Sequence, residues 1–116
     1  MQTEPFRIVE QPSPKPSQRI LSLNGPLVLA GVFEFQAMVR ADQSKSLVLD
    51  FTAVPYADSA GIGALVGAYV TRQHSGRGLG LVAVCTRVRD ALKVTRVEQF
   101  FQFFDSVEAA QEKLPV

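Results

Sequence analysis

Hydrophobic residues along this chain follow two rhythms. Short apolar runs, Arg19-Ile20-Leu21-Ser22-Leu23-Asn24, Ser46-Leu47-Val48-Leu49-Asp50-Phe51 and Leu79-Gly80-Leu81-Val82-Ala83-Val84, predict strands over 19–24, 46–51 and 79–84, adjacent in one sheet. Between them the period lengthens. Val32, Phe35, Met38 and Val39 repeat at helical spacing up to about Ala41, and Ile62, Leu65, Val66, Tyr69 and Val70 place five apolar side chains on one helix face from about Gly61 onward. A third helix is predicted from Thr86, its N-cap, through Val88, Ala91 and Leu92. Phe100 to Phe104 then reads as a short aromatic strand, and Asp105-Ser106 opens a last helix through Val107, Ala110 and Leu114.

Turn-forming residues punctuate these elements at Asn24-Gly25-Pro26, Gln43-Ser44-Lys45 and Ser75-Gly76-Arg77-Gly78. The first 18 residues divide into an apolar patch, Phe6 to Val9, and a segment with Pro12, Pro14 and Pro16 at alternate positions. Prolines so spaced remove backbone donors and favour an extended connector. The expected organisation is a strand and proline-rich linker over 1–18 followed by a domain over 19–116. Strands alternating with helices predict a single α/β domain with a mixed, mostly parallel sheet and about four helices packed on it.

Composition narrows the function. The 116 residues suffice for one domain, and 12 basic against 11 acidic residues leave a net charge of +1, which calls for neither nucleic acid nor an anionic membrane as direct partner. A single cysteine, Cys85, allows no internal disulfide and no thiolate cluster, and is expected to be buried and reduced. With one histidine, no metal-ligand cluster and no paired carboxylates, no catalytic, metal or cofactor site is expected. The longest apolar stretch, around Ile62 to Val70, is far shorter than the ~20 residues of a spanning helix. A cytoplasmic location is expected.

The candidate chemistry lies in Asp58-Ser59-Ala60-Gly61-Ile62-Gly63, where an apolar strand gives way to a helix. Serine at a helix start can cap the helix, bind an anion or accept phosphate. Unpaired N–H groups and the positive end of the helix dipole tolerate a dianion there. Small residues, Ala60, Gly63, Ala64, Gly67, Ala68 and Thr71, fill the remaining helix surface; they suit either a partner's close approach or packing against a neighbouring helix. Gly61 and Gly63 do not make a dinucleotide loop, because Val66 stands at the third glycine position. Arg89, Lys93 and Arg96 form a basic stripe, either a solvated face or a surface for an acidic partner, and His74 suits a helix C-terminus.

Leu47-Val-Leu-Asp-Phe, the Asp58-Ser-Ala-Gly-Ile-Gly box, the segment Arg72 to Gly80, Arg87-Val-Arg and the stretch Phe100 to Ser106 together resemble the sulfate transporter and anti-sigma factor antagonist (STAS) domain, in its stand-alone form. The resemblance covers about residues 19–114. It implies that Ser59 is a phosphorylation site, that the chain binds an anti-sigma factor with serine kinase activity, and that a PP2C-type phosphatase restores the binding form. Asp58, Ala60, Gly61, Gly63, Ala64 and Gly67 are the expected partner-binding residues. Two departures from the family pattern stand out: Ala60 replaces a second hydroxyl residue, and Val28 in Gly25-Pro-Leu-Val replaces an acid. Alternative readings are an unphosphorylated scaffold or subunit of a larger transport or signalling complex, and a small-ligand sensor.

Overall fold

The computed structural model describes residues 5–116. Five strands, β1 (Arg7–Gln11), β2 (Gln18–Asn24), β3 (Ser46–Ala53), β4 (Gly78–Val82) and β5 (Gln102–Phe104), lie side by side in sequence order. β1 runs antiparallel to β2, and every other neighbour is parallel. Four helices connect or follow them: α1 (Leu29–Ala41), α2 (Ser59–His74), α3 (Thr86–Val94) and α4 (Val107–Lys113). The fold is therefore a single α/β domain with a mixed, mostly parallel sheet and four helices, as the sequence predicts.

The unbroken apolar runs reflect a sheet covered on both faces. Leu21, Leu23, Leu47, Leu49, Phe51, Leu79 and Leu81 point into a core shared with α1, α2 and α3. Ile20, Val48 and Val82 point to the opposite face, where Ala110 and Leu114 close a smaller core from α4. The proline-rich segment crosses to this second side. There the Lys15 ammonium donates to the Gln111 carbonyl at 3.0 Å, and the Gln18 amide donates to the carbonyls of Gln111, Leu114 and Pro115.

Several boundaries differ from the sequence expectation, each for a local reason. β4 ends at Val82 instead of Val84 because Ala83 takes a left-handed backbone, with φ of 55°, that turns the chain toward α3. The N-cap of α3 is Cys85, extended at φ −71° and ψ 162°, and Thr86 is the first helical residue. The cysteine is half-buried, its thiol 3.6 and 3.5 Å from the Val54 and Pro55 carbonyls. The aromatic run splits into a 3₁₀ turn at Glu98–Phe100 and β5.

Two helices end alike. In α2 the Arg77 N–H donates to the Arg72 carbonyl at 2.8 Å and the Gly76 N–H to the Gln73 carbonyl at 3.0 Å, around a left-handed Gly76. In α3 the Val97 N–H donates to Leu92 and the Arg96 N–H to Lys93, both at 3.0 Å, with Arg96 left-handed at φ 61°. Both are Schellman endings. Arg96 accordingly lies beyond α3, and the expected basic stripe is broken. Arg89, though partly exposed, is not free: its Nε is 2.8 Å from Glu98, and its guanidinium lies 3.8 Å over the Phe103 ring.

Candidate functional site

The site forms where β3 hands over to α2. The Leu27 N–H donates to the Tyr56 carbonyl at 3.0 Å and the Asp58 N–H to the Leu27 carbonyl at 3.2 Å, which draws the starts of α1 and α2 together. Gly61 then packs onto the Leu27 carbonyl so closely that a Cβ there would overlap it. Glycine at 61 is a packing requirement, not part of an accessible face.

Asp58, extended at φ −90° and ψ −176°, is the N-cap of α2. Its Oδ1 accepts from the Gly61 N–H at 2.8 Å. Its Oδ2 accepts from the Leu29 N–H, the first residue of α1, at 3.2 Å. One carboxylate thus holds two helix starts. Val28, the N-cap of α1, offers no side-chain acceptor, and the Asp58 carboxylate is what meets the first N–H of α1.

With the cap supplied by Asp58, Ser59 is the exposed first residue of α2, and its hydroxyl has no hydrogen-bond partner among the described residues. Gly63 and Gly67 follow one and two turns later, exposed, each with open space where a side chain would extend. Val70 continues the line and is 55% exposed. The buried side of α2 runs instead through Gly61, Leu65, Ala68 and Arg72, with Ile62 and Ala64 at its margins.

The sequence pattern therefore found one side of the buried face: Ile62 and Leu65 are buried and Val66 and Tyr69 pack partly buried on the same core, while the face extends further than expected through Gly61, Ala64, Ala68 and Arg72. Val70, expected in the core, is outside. Ala64, expected on the partner face, is 2% exposed in the core, and Ala60 is half-buried against it. Of the expected partner residues, Asp58, Gly63 and Gly67 are accessible; Gly61 and Ala64 are not. The sequence reading missed two accessible apolar residues one turn apart on α1, Leu29 and Phe33, 60% and 74% exposed, the first of them bonded through its N–H to Asp58. The available signal was their position off the Val32, Phe35, Val39 stripe that faces the core.

At the far end of α2, Arg72 is 2% exposed and paired with the equally buried Asp42 at 2.8 Å. Burial pushes the Arg72 guanidinium down from the usual arginine range, an effect that the Asp42 carboxylate opposes. Asp42 also reaches Arg19, whose hydrogen bond to Glu10 holds the Glu10 carboxyl below the usual range. Among the described residues no three His, Cys, Asp or Glu side chains are grouped to hold a metal, and no helix is long and apolar enough to cross a membrane.

The STAS domain model matches residues 7–110, from β1 into α4. The chain belongs to the STAS domain family. An anti-sigma factor antagonist from Mycobacterium paratuberculosis has the same fold with a TM-score of 0.80 at 18% identity, over 95% of this chain and 94% of that one. The Bacillus cell fate determinant SpoIIAA in its phosphorylated form matches at a TM-score of 0.68 and 14% identity, over 93% and 98% of the two chains. The murine anion transporter Slc26a9 contains a similar unit, with a TM-score of 0.72 and 22% identity over 83% of this chain but 17% of the transporter. STAS folds thus occur both alone and within membrane transporters.

Proposed function

We propose that this STAS domain is a cytoplasmic anti-sigma factor antagonist that regulates transcription by partner switching. In this reading an anti-sigma factor with serine kinase activity docks over the start of α2 and phosphorylates Ser59, and a PP2C-type phosphatase reverses the modification. The observation that carries the reading is the division of labour between Asp58 and Ser59: the carboxylate caps the helix, leaving an exposed hydroxyl free to be modified. The whole-chain likeness to solved antagonists supports it.

Phosphate at this position adds a charge of about −1.5 to −2. The helix dipole offsets it by about 0.3–1 kcal/mol, and repulsion from Asp58 opposes it by about 1 kcal/mol per surface charge pair. Both terms are small beside the roughly 5–15 kcal/mol that holds a domain folded, so the domain stays folded and the charge acts on the docked partner. The exposed line Ser59, Gly63, Gly67 and Val70, with Leu29 at its Asp58 end, supplies the docking face. Calorimetric titration with the cognate anti-sigma factor tests this. Parent protein should bind, whereas Ser59→Asp and Gly63→Leu should each weaken binding, and parent-like binding by both would refute the proposal.

The Slc26a9 likeness favours a second reading, in which the domain is an unphosphorylated subunit of a transport assembly. Co-purification with a membrane transporter at fixed stoichiometry, with Ser59 unmodified, would support that reading over the first.

A further inference from the structure

A cavity of about 330 Å³ opens at the C-terminal end of α2, between that helix, β4 and the turn before β5. Its α2 lining, Tyr69, Arg72 and Gln73, lies about 15–21 Å from Ser59 by helical rise, and the cavity does not depend on the reading of that serine. One wall is aromatic. Tyr69 and Phe100 stack with centroids 5.2 Å apart at 20°, Phe101 meets Tyr69 edge-on at 6.0 Å, and Phe100 remains 41% exposed. The polar lining comes from Gln73, Arg77 and Gln102, and no lining residue is acidic.

The two arginines of the cavity differ in what they can offer. Arg72 spends its donors inside the protein: Nε on the Gly78 carbonyl, Nη1 on the Asp42 carbonyl and carboxylate, and Nη2 on the Ser44 and Gly78 carbonyls. Its charge is met by Asp42. Arg77 is half-buried, and its guanidinium has no ion pair or hydrogen bond among the described residues. Burial first, and then the Arg77 charge, act to lower the proton affinity of Arg72. Arg77 is therefore close enough to be felt by a second cation while facing no anion of its own.

We propose that this cavity binds a small aromatic anion, a carboxylate or sulfonate whose acid group pairs with Arg77 while its ring packs on Phe100 and Tyr69. The volume falls in the range of small-ligand pockets, and an apolar wall with a few convergent polar groups is their usual chemistry. Gln73 and Gln102 would orient the acid group, as each carries an amide donor. A neutral ring would keep the apolar contact and lose the charge-assisted hydrogen bond, worth about 1.5–3 kcal/mol, or about tenfold or more in affinity.

The test is an amide NMR titration of the full chain with 2-naphthoate and, separately, 2-naphthamide. Saturable shifts confined to Gln73, Gly76 to Leu79 and Phe100 to Gln102 are expected for naphthoate, with naphthamide binding about tenfold more weakly. Arg77→Gln should weaken naphthoate by a similar factor and leave the naphthamide affinity and the melting temperature unchanged. Phe100→Ala should weaken both ligands. Unsaturated or scattered shifts, or equal naphthoate binding by Arg77→Gln and parent, would overturn the proposal.

Discussion

The Asp58 Oδ2 accepts a hydrogen bond from the Leu29 N–H at 3.2 Å, so the residue that caps α2 also anchors the first turn of α1. Removing it should cost more than an ordinary cap. Asp58→Ala is expected to lose about 2 kcal/mol, against about 1 kcal/mol for a single N-cap. Asp58→Asn, which keeps one acceptor oxygen, should fall between. Val28→Asp gives α1 its own cap and should reduce the cost of Asp58→Asn, a coupling that a double-mutant cycle in urea would reveal.

The Asp42–Arg72 pair predicts a second, larger loss. Both partners are almost wholly buried, so Asp42→Ala leaves a guanidinium without its counter-charge and should cost about 3–5 kcal/mol. Glu10, at the exposed end of the same network, should barely move the denaturation midpoint when changed to Gln.

Packing predicts a contrast of faces on α2 and α3. Leu65 is fully buried, and Leu65→Ala should cost about 2–5 kcal/mol. Arg89→Ala should cost about 1 kcal/mol, because its contact with the Phe103 ring and its pair with Glu98 are both partly exposed. Equal urea midpoints for the two variants would contradict these assignments.

The end of α3 predicts a gain. Arg96 holds the left-handed position that Gly76 occupies at the end of α2, so Arg96→Gly should stabilise the domain by about 0.5–1 kcal/mol. Thermal melts of the two proteins would register this as a rise in midpoint.

Most of the fold was legible because the apolar runs over 19–24, 46–51 and 79–84 are too short and too rich in aliphatics to be anything but buried strands. The phase of α2 was less so. Val70 outweighs Ala64, Ala68 and Arg72 on any hydropathy scale, yet it lies outside while they lie inside, Ala64 and Ala68 on the side of α2 where α1 packs. Arg72 could have been suspected from its place three and seven residues after Tyr69 and Leu65. Its partner Asp42 is 30 residues away in sequence, and no local pattern announces it. Asp58 and Ser59 are both good capping residues; the extended backbone at 58, set by the bonds between Leu27 and the loop before α2, decides between them.

Ser59 carries the central claim, and its modification is the most direct measurement. The parent protein, Ser59→Ala and Asp58→Asn would be incubated with the cognate anti-sigma factor and ATP, then compared by intact mass and peptide mapping. A single phosphate on Ser59 of the parent is expected, with none on Ser59→Ala and a melting temperature close to parent for that variant, since Ser59 does not cap the helix. Phosphate on another residue, or undiminished phosphorylation of Ser59→Ala, would contradict the account.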